Sequence, residues 1–369
     1  MAYRPSSDKY LLSIVVLLTI LGLLMVYSAS FVTAADKHGD SYYFFLRQLG
    51  AAGFGFLAMF GLMRVDYHFF QKPKALLLIS ILTAAALIYV LSMPAVNGAR
   101  RWIYIKGLSI QPSEFAKLLV LIFIAWFLHK YGSLLNRPKY LTAICAFVAF
   151  FAVLIVIEPD FGQALKLCLI TMILLAIAGL KMRYLAGAVI GLSIPVFYFF
   201  VYTVPYRWSR FAAFLDPEID TAGTSYQITQ SLITVGSGGI FGLGLGDGRQ
   251  KLAFLPEAST DFIFAIICEE LGLIGAALVI AAFMVFFYRG MKISLKAPDK
   301  FGFYLGMGIT LMITLQGLIN ITMVIGLLPT TGIALPFISR GGSSLLMNLA
   351  AAGILLNLSY QSKLVEGVE

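Results

Sequence analysis

Charge is scarce in this chain. Only 12% of its 369 residues are Asp, Glu, Lys or Arg, against about 25% in soluble domains. Histidine and cysteine number 3 each. Cys145, Cys168 and Cys268 lie in apolar stretches, and His38, His68 and His129 lie in loops or at span ends, so neither set has metal-ligand spacing. There is no Ser-His-Asp pattern and no phosphate-binding P-loop. Gly242-x-Gly-x-Gly246 has no strand before it and no helix of a βαβ unit after it, as a dinucleotide site requires. These absences exclude a soluble enzyme and a disordered chain, and argue against an ATP-driven pump.

What is abundant is apolar: 60% of the residues are hydrophobic. The runs are continuous, as in Leu11 to Val26 and Leu167 to Leu180. A transmembrane barrel reads instead as alternating stretches of about ten residues. At about 20 residues per spanning helix, the composition predicts an all-α polytopic membrane protein. About ten transmembrane helices are expected, over 10–31, 42–63, 75–94, 112–128, 140–157, 162–179, 185–204, 261–287, 302–325 and 342–362. The first exceeds the apolar core of a signal peptide, about 7–15 residues, and is read as retained. Residues 1–369 read as one transmembrane domain with no linker or soluble appendage.

The net charge of +9 reflects the Lys and Arg excess of cytoplasmic loops rather than a nucleic-acid partner. Basic residues crowd alternate connections, among them Arg64, Lys72, Lys130, Arg137, Lys181 and Arg289. With those connections inside, both termini are cytoplasmic. The longest loop, 205–260, is then extracytoplasmic and glycine-rich, and long loops in compact proteins are usually functional.

Charges inside spans cost about 2.5–3.5 kcal/mol and mark sites by default. Six qualify: Glu114, Lys117, Lys166, Asp261, Glu269 and Glu270. Glu114 and Lys117 share a helix face at i,i+3 near Arg100, Arg101 and Lys106; they are either a local ion pair or part of a charged-group site. Asp160 lies six residues before Lys166 in an acidic corner that begins at Glu158. Either Thr260 or Asp261 caps the helix, or Asp261 acts as a general base. On a helix of about 100° per residue, Glu269 is about 80° and Glu270 about 180° from Asp261, so both cannot join it, and at least one is expected to be structural.

Seven ordered motifs carry a resemblance. They are Asn97-Gly-Ala-Arg-Arg-Trp102, Gln111-Pro-Ser-Glu-Phe-Ala-Lys117, Glu158-Pro-Asp-Phe-Gly162, Gly236-Ser-Gly-Gly239, Leu255-Pro-Glu-x-x-Thr-Asp-Phe-Ile-Phe264, Glu269-Glu-Leu-Gly272 and the stretch from Leu328-Pro to Gly-Gly-Ser-Ser344. Over nearly its whole length the chain resembles the SEDS family (shape, elongation, division and sporulation), typified by RodA and FtsW. Arg249-Gln-Lys-Leu252 and Leu328-Pro-Thr-Thr-Gly332 look more like FtsW than RodA. Gln163 and Arg340 depart from the family pattern.

The resemblance implies a peptidoglycan glycosyltransferase of the bacterial inner membrane, polymerising lipid II on the outer face for division or elongation. It also implies a class B penicillin-binding protein as partner, alongside divisome or elongation-complex membrane proteins. The family's catalytic Asp falls on Asp261, and its other important polar positions match Arg101, Glu114, Lys117 and Asp160. On that basis Asp261 is the expected base, and Arg101 and Lys117 are expected to contact the substrate pyrophosphate. Glu114 and Asp160 are expected either to hold a divalent cation, Mg²⁺ or Mn²⁺, or to orient Lys117 and Lys166. Lys166, Glu257, Thr260 and Ser343 are supporting candidates. The competing readings are a lipid II transporter, which would carry charge through the full membrane depth, and a non-catalytic scaffold, which would not need Asp261.

Overall fold

A computed structural model describes residues 7–95, 98–105, 108–216, 224–251 and 254–366. Asn97, Lys106 and Leu252, named above, lie outside the described residues. Ten helices form over the ten predicted spans and two more, α8 and α9, within the 205–260 loop: α1 (Lys9–His38), α2 (Tyr43–Leu62), α3 (Pro73–Val90), α4 (Pro112–Tyr131), α5 (Pro138–Ile157), α6 (Phe161–Ile177), α7 (Met182–Phe197), α8 (Pro205–Leu215), α9 (Thr224–Ser237), α10 (Ile263–Leu295), α11 (Lys300–Val324) and α12 (Gly342–Glu366). Among the described residues, 9 helical segments are long and apolar enough to cross a membrane. The remaining predicted span, 162–179, is the shorter apolar α6.

Local chemistry sets several ends. Pro73, Pro112, Pro138 and Pro205 open their helices, where a missing N–H costs nothing. The Asp8 and Asp299 side chains cap α1 and α11 by accepting from Leu11 N and Gly302 N.

The spans are unequally buried. The most apolar window of α12 is 83% buried and that of α11 72%, whereas that of α7 is 6%. The centre of the bundle is therefore α11 and α12, ringed by α1, α2, α4 and α10. α7 lies at the rim and continues into a π turn over Tyr198–Tyr202.

The structure adds what the apolar pattern did not foresee. A hairpin of β1 (Ile103–Ile105) and β2 (Leu108–Ile110) precedes α4, with Tyr104 opposite Ser109. The 205–260 loop contains α8, α9 and a glycine-rich run that folds back against α10. There α10 breaks at Gly272, with φ 66°. A Cβ on Gly272 would overlap Gly242 N and Ile240 O, so only glycine allows this approach. The eighth span starts at Ile263 rather than Asp261. Asp261 therefore lies in a turn ahead of the helix, and the helical angle between it and Glu269 does not apply.

Candidate functional site

One end of the bundle gathers the N-termini of α4, α6, α10 and α12 and the C-terminus of α11. Asp261 lies in the turn leading into α10, part exposed. Phe262 is the cap position of α10 and makes no side-chain cap bond, so the capping reading of Asp261 fails.

The turn is stitched down by its neighbours. Asn320 Nδ2 donates to Asp261 O at 2.7 Å and to Ile333 O at 2.8 Å. Ser339 Oγ donates to Thr260 O at 2.6 Å, and Arg340 N to Ser259 O at 2.9 Å. Thr260 Oγ1 donates to Glu257 Oε2 at 2.8 Å. Glu257 itself has φ 54°, a left-handed conformation that is uncommon for a residue with a Cβ. Backbone and supporting side chains are thus tied, while the Asp261 carboxylate has no hydrogen-bond partner among the described residues.

Burial, reinforced by Glu257, pushes the Asp261 carboxyl up to about 6; Arg210 and Arg101 pull against that shift and Asp160 adds to it. A carboxylate so raised is a better proton acceptor near neutral pH than an ordinary one.

A second polar layer lies behind this turn. Asp160 caps α6 by accepting from Gln163 N at 3.4 Å, and its other oxygen accepts from Gln111 Nε2 at 3.0 Å. Gln163 Nε2 donates to Glu114 Oε1 at 3.2 Å. Glu114 pairs with Lys117 at 2.7 Å, with both side chains buried. Lys117 Nζ and Lys166 Nζ both donate to Gln316 Oε1, at 3.3 and 2.5 Å. Ser343 Oγ accepts from Gln111 N at 3.1 Å and donates to Ser109 O at 3.0 Å, anchoring the hairpin to α12.

Arg101 donates from Nε to Glu158 O at 3.2 Å and from Nη2 to Pro159 O. Pro159 has φ 34°. Glu158 is fully buried and neither carboxylate oxygen has a hydrogen-bond partner. Burial, with Asp160 adding to it and Arg101 opposing, pushes the Glu158 carboxyl up to about 8.

The structure therefore gathers Asp261, Thr260 and Glu257 in one turn, and Glu114, Lys117, Asp160 and Lys166 in the layer behind, with Arg101 at the Glu158 corner. Lys117 is only 3% exposed and is committed to Glu114 and Gln316. Two arginines of α8, Arg207 and Arg210, add positive charge. Arg207 feels Arg101 and Asp160, and Arg210 donates to Thr330 O at 3.1 Å.

Gln316 and Asn320 carry no charge, so nothing in the sequence marks them as costly inside a membrane span. Their one-turn spacing on an apolar helix was the available signal. Lys251 lies in the glycine-rich 205–260 loop, yet it is 4% exposed and pairs with Glu270.

The carboxylates do not suit a resident metal. The Asp160 oxygens and Glu114 Oε1 accept from Gln111 and Gln163, and Glu114 Oε2 faces Lys117. Among the described residues no group of three His, Cys, Asp or Glu side chains converges to hold an ion.

The bundle defines a multi-pass membrane protein with a cluster of buried charged and amide side chains at one end. Residues 8–364 match the cell cycle protein family of FtsW, RodA and SpoVE, and the chain belongs to that family. It is 43% identical over 365 residues to the stage V sporulation protein E of Bacillus subtilis, covering 98% of this chain and 99% of that protein. It is 41% identical over 361 residues to a probable peptidoglycan glycosyltransferase FtsW of Geobacter metallireducens, covering 96% and 95%. Among solved structures it is similar to a chain of a peptidoglycan synthase complex that coordinates polymerization and crosslinking, with TM-score 0.79, 25% identity and coverage of 96% and 98%. The rod shape determining protein RodA of Thermus thermophilus shares the fold, with TM-score 0.71 and 23% identity over 96% of each chain.

Proposed function

We infer that this chain is a peptidoglycan glycosyltransferase that polymerises lipid II for division or elongation. The observation that carries the assignment of the site is Asp261: a raised carboxylate, free of capping duty, on a turn whose backbone carbonyls are held by three hydrogen bonds from α11 and from Ser339–Arg340.

The 4-hydroxyl of a lipid II GlcNAc attacks C1 of the MurNAc at the lipid-linked end of the growing strand. The C1–O bond to phosphate breaks, and undecaprenyl pyrophosphate leaves with the bonding pair. Asp261 takes the hydroxyl proton. The α linkage of the donor becomes β in one inverting step.

Charge on the leaving pyrophosphate calls for cations at the same mouth. Arg101 is the proposed contact, with Arg207 and Arg210 of α8 beside it. Lys117 acts from behind through its field, because its ammonium is already held. Glu114 and Asp160 take the orienting role, since their oxygens are engaged by Gln111, Gln163 and Lys117. Lys166, Glu257, Thr260 and Ser343 support this layer and the Asp261 turn.

The site belongs at the outer interface of the inner membrane, where the substrate's lipid stays in the bilayer and its sugars stay in water. The basic connections at the opposite end of the bundle support that orientation. A class B penicillin-binding protein is the proposed partner, with other divisome or elongation-complex membrane proteins around the pair.

The test is polymerisation of purified lipid II. Asp261→Asn is expected to assemble normally and form no glycan; full polymer yield from that variant would remove Asp261 from the chemistry.

A further inference from the structure

Two buried neutral side chains of α11 join the two polar layers. Gln316 and Asn320 are four residues apart, one turn of helix, and both are 0% exposed. The Gln316 carbonyl oxygen accepts from Lys117 and Lys166, and its amide donates to Ala334 O at 2.8 Å. The Asn320 amide donates to Ile333 O and Asp261 O.

Neither amide can be turned over. A flipped Gln316 would aim N–H groups at two ammonium donors and a carbonyl oxygen at the Ala334 carbonyl. A flipped Asn320 would aim its oxygen at two carbonyl oxygens. Donor and acceptor inventory alone fixes both orientations. Each amide also grips one of two consecutive residues, Ile333 and Ala334. Gly332, directly before them, faces Asp261: a Cβ there would sit 3.7 Å from Asp261 Oδ2.

The 332–334 segment is thus held against α11 by one amide that reads the lysine pair and another that reads the Asp261 backbone. We propose that Gln316 and Asn320 are positioning residues for the transfer reaction: Asn320 fixes where the Asp261 carboxylate points, and Gln316 fixes the same segment relative to the Lys117–Lys166 pair. They touch no reacting atom and act through Asp261 and through the lysines.

The inference rests on Asp261 being the base. The experiment uses full-length chain in lipid nanodiscs with lipid II, reading kcat, KM, the pH dependence of kcat/KM and thermal stability. Asn320→Asp keeps size and shape but removes both donors. It is expected to lower kcat at least 30-fold, leave KM within 3-fold, and move the acid limb of kcat/KM away from its wild-type position. Asn320→Ser retains one donor; it is expected to lose less activity and to supply a folded variant should Asn320→Asp fail to assemble. Gln316→Met removes the acceptor shared by the lysines and is expected to lower kcat without moving the acid limb.

A folded Asn320 variant with wild-type kcat and an unmoved limb overturns the proposal. So does a loss of activity that only tracks the loss of folded protein with the limb in place. Failure of the base assignment has a separate signature, glycan formation by Asp261→Asn.

Discussion

Lys251 and Glu270 form a buried ion pair, Nζ to Oε1 at 2.6 Å, between the glycine-rich run and the interior of α10. Ser28 Oγ of α1 donates to the same carboxylate at 2.6 Å, and Gly246 N donates to its second oxygen at 3.1 Å. The neighbouring Glu269 accepts from Arg249 N and Gln250 N at 2.8 and 3.2 Å. The sequence required at least one of these two acids to be structural; both hold the glycine-rich loop and take no part in the proposed chemistry.

Breaking that pair leaves a carboxylate stranded away from water. Lys251→Met is expected to destabilise the protein by about 3–5 kcal/mol, seen as a large drop in thermal midpoint. Adding Glu270→Gln to the same chain is expected to recover much of the loss, because the stranded charge is then gone. Equal midpoints for Lys251→Met and wild type would contradict the pairing.

Asp261 predicts the acid side of the pH profile. Its carboxyl is raised to about 6, and a base works only when deprotonated. Polymerisation measured as kcat/KM is expected to rise as pH increases through about 6 and then level. A profile flat from pH 5 to pH 8 would contradict this.

Glu158 predicts a stability effect of opposite character. Its folded-state pKa, about 8, lies above the ordinary value of 4.5. Between those values the unfolded chain has lost the proton while the folded chain keeps it, so this group makes stability fall as pH rises across that window. The slope is at most about 1.4 kcal/mol per pH unit. Glu158→Gln mimics the neutral acid and is expected to match wild type at pH 4.5 and exceed its thermal midpoint at pH 7.5. A Gln variant less stable than wild type at pH 7.5 would show that Glu158 is ionised there.

The engaged oxygens of Glu114 and Asp160 predict that no resident cation is stripped by chelation. Polymer yield after EDTA, and after re-addition of Mg²⁺ or Mn²⁺, is expected to stay within 2-fold of untreated enzyme. Loss on chelation with recovery on either ion would return the two acids to a metal role.

Much of this architecture was legible in the residues. Each apolar run became a helix, because in lipid every backbone group must be bonded within its own segment. Glu114 and Lys117 paired as their i,i+3 spacing implied. The β1–β2 hairpin was not legible: three-residue strands carry too little alternation to register. Lys251 was not either, because a charge in a glycine-rich loop reads as solvated until the loop folds back. Gln316 and Asn320 escaped because their partners come from α4, α6, the Asp261 turn and the 333–334 segment, none of them near in sequence.

Composition and hydropathy by themselves determined the number of spans, the side on which basic loops collect and the short set of acids and bases that the membrane would not tolerate without cause. Those properties depend on the transfer free energy of each segment taken alone. Only the tertiary structure decided which charges are spent on one another and which carboxylates, such as Glu158 and Asp261, are left without a hydrogen-bond partner among the described residues. Asp160, Glu114 and Glu270 meet donors brought by other helices, while the turn before α10 holds Asp261 by its backbone and leaves its carboxylate unpartnered. That division rests on contacts between residues far apart in the chain, which no local pattern encodes.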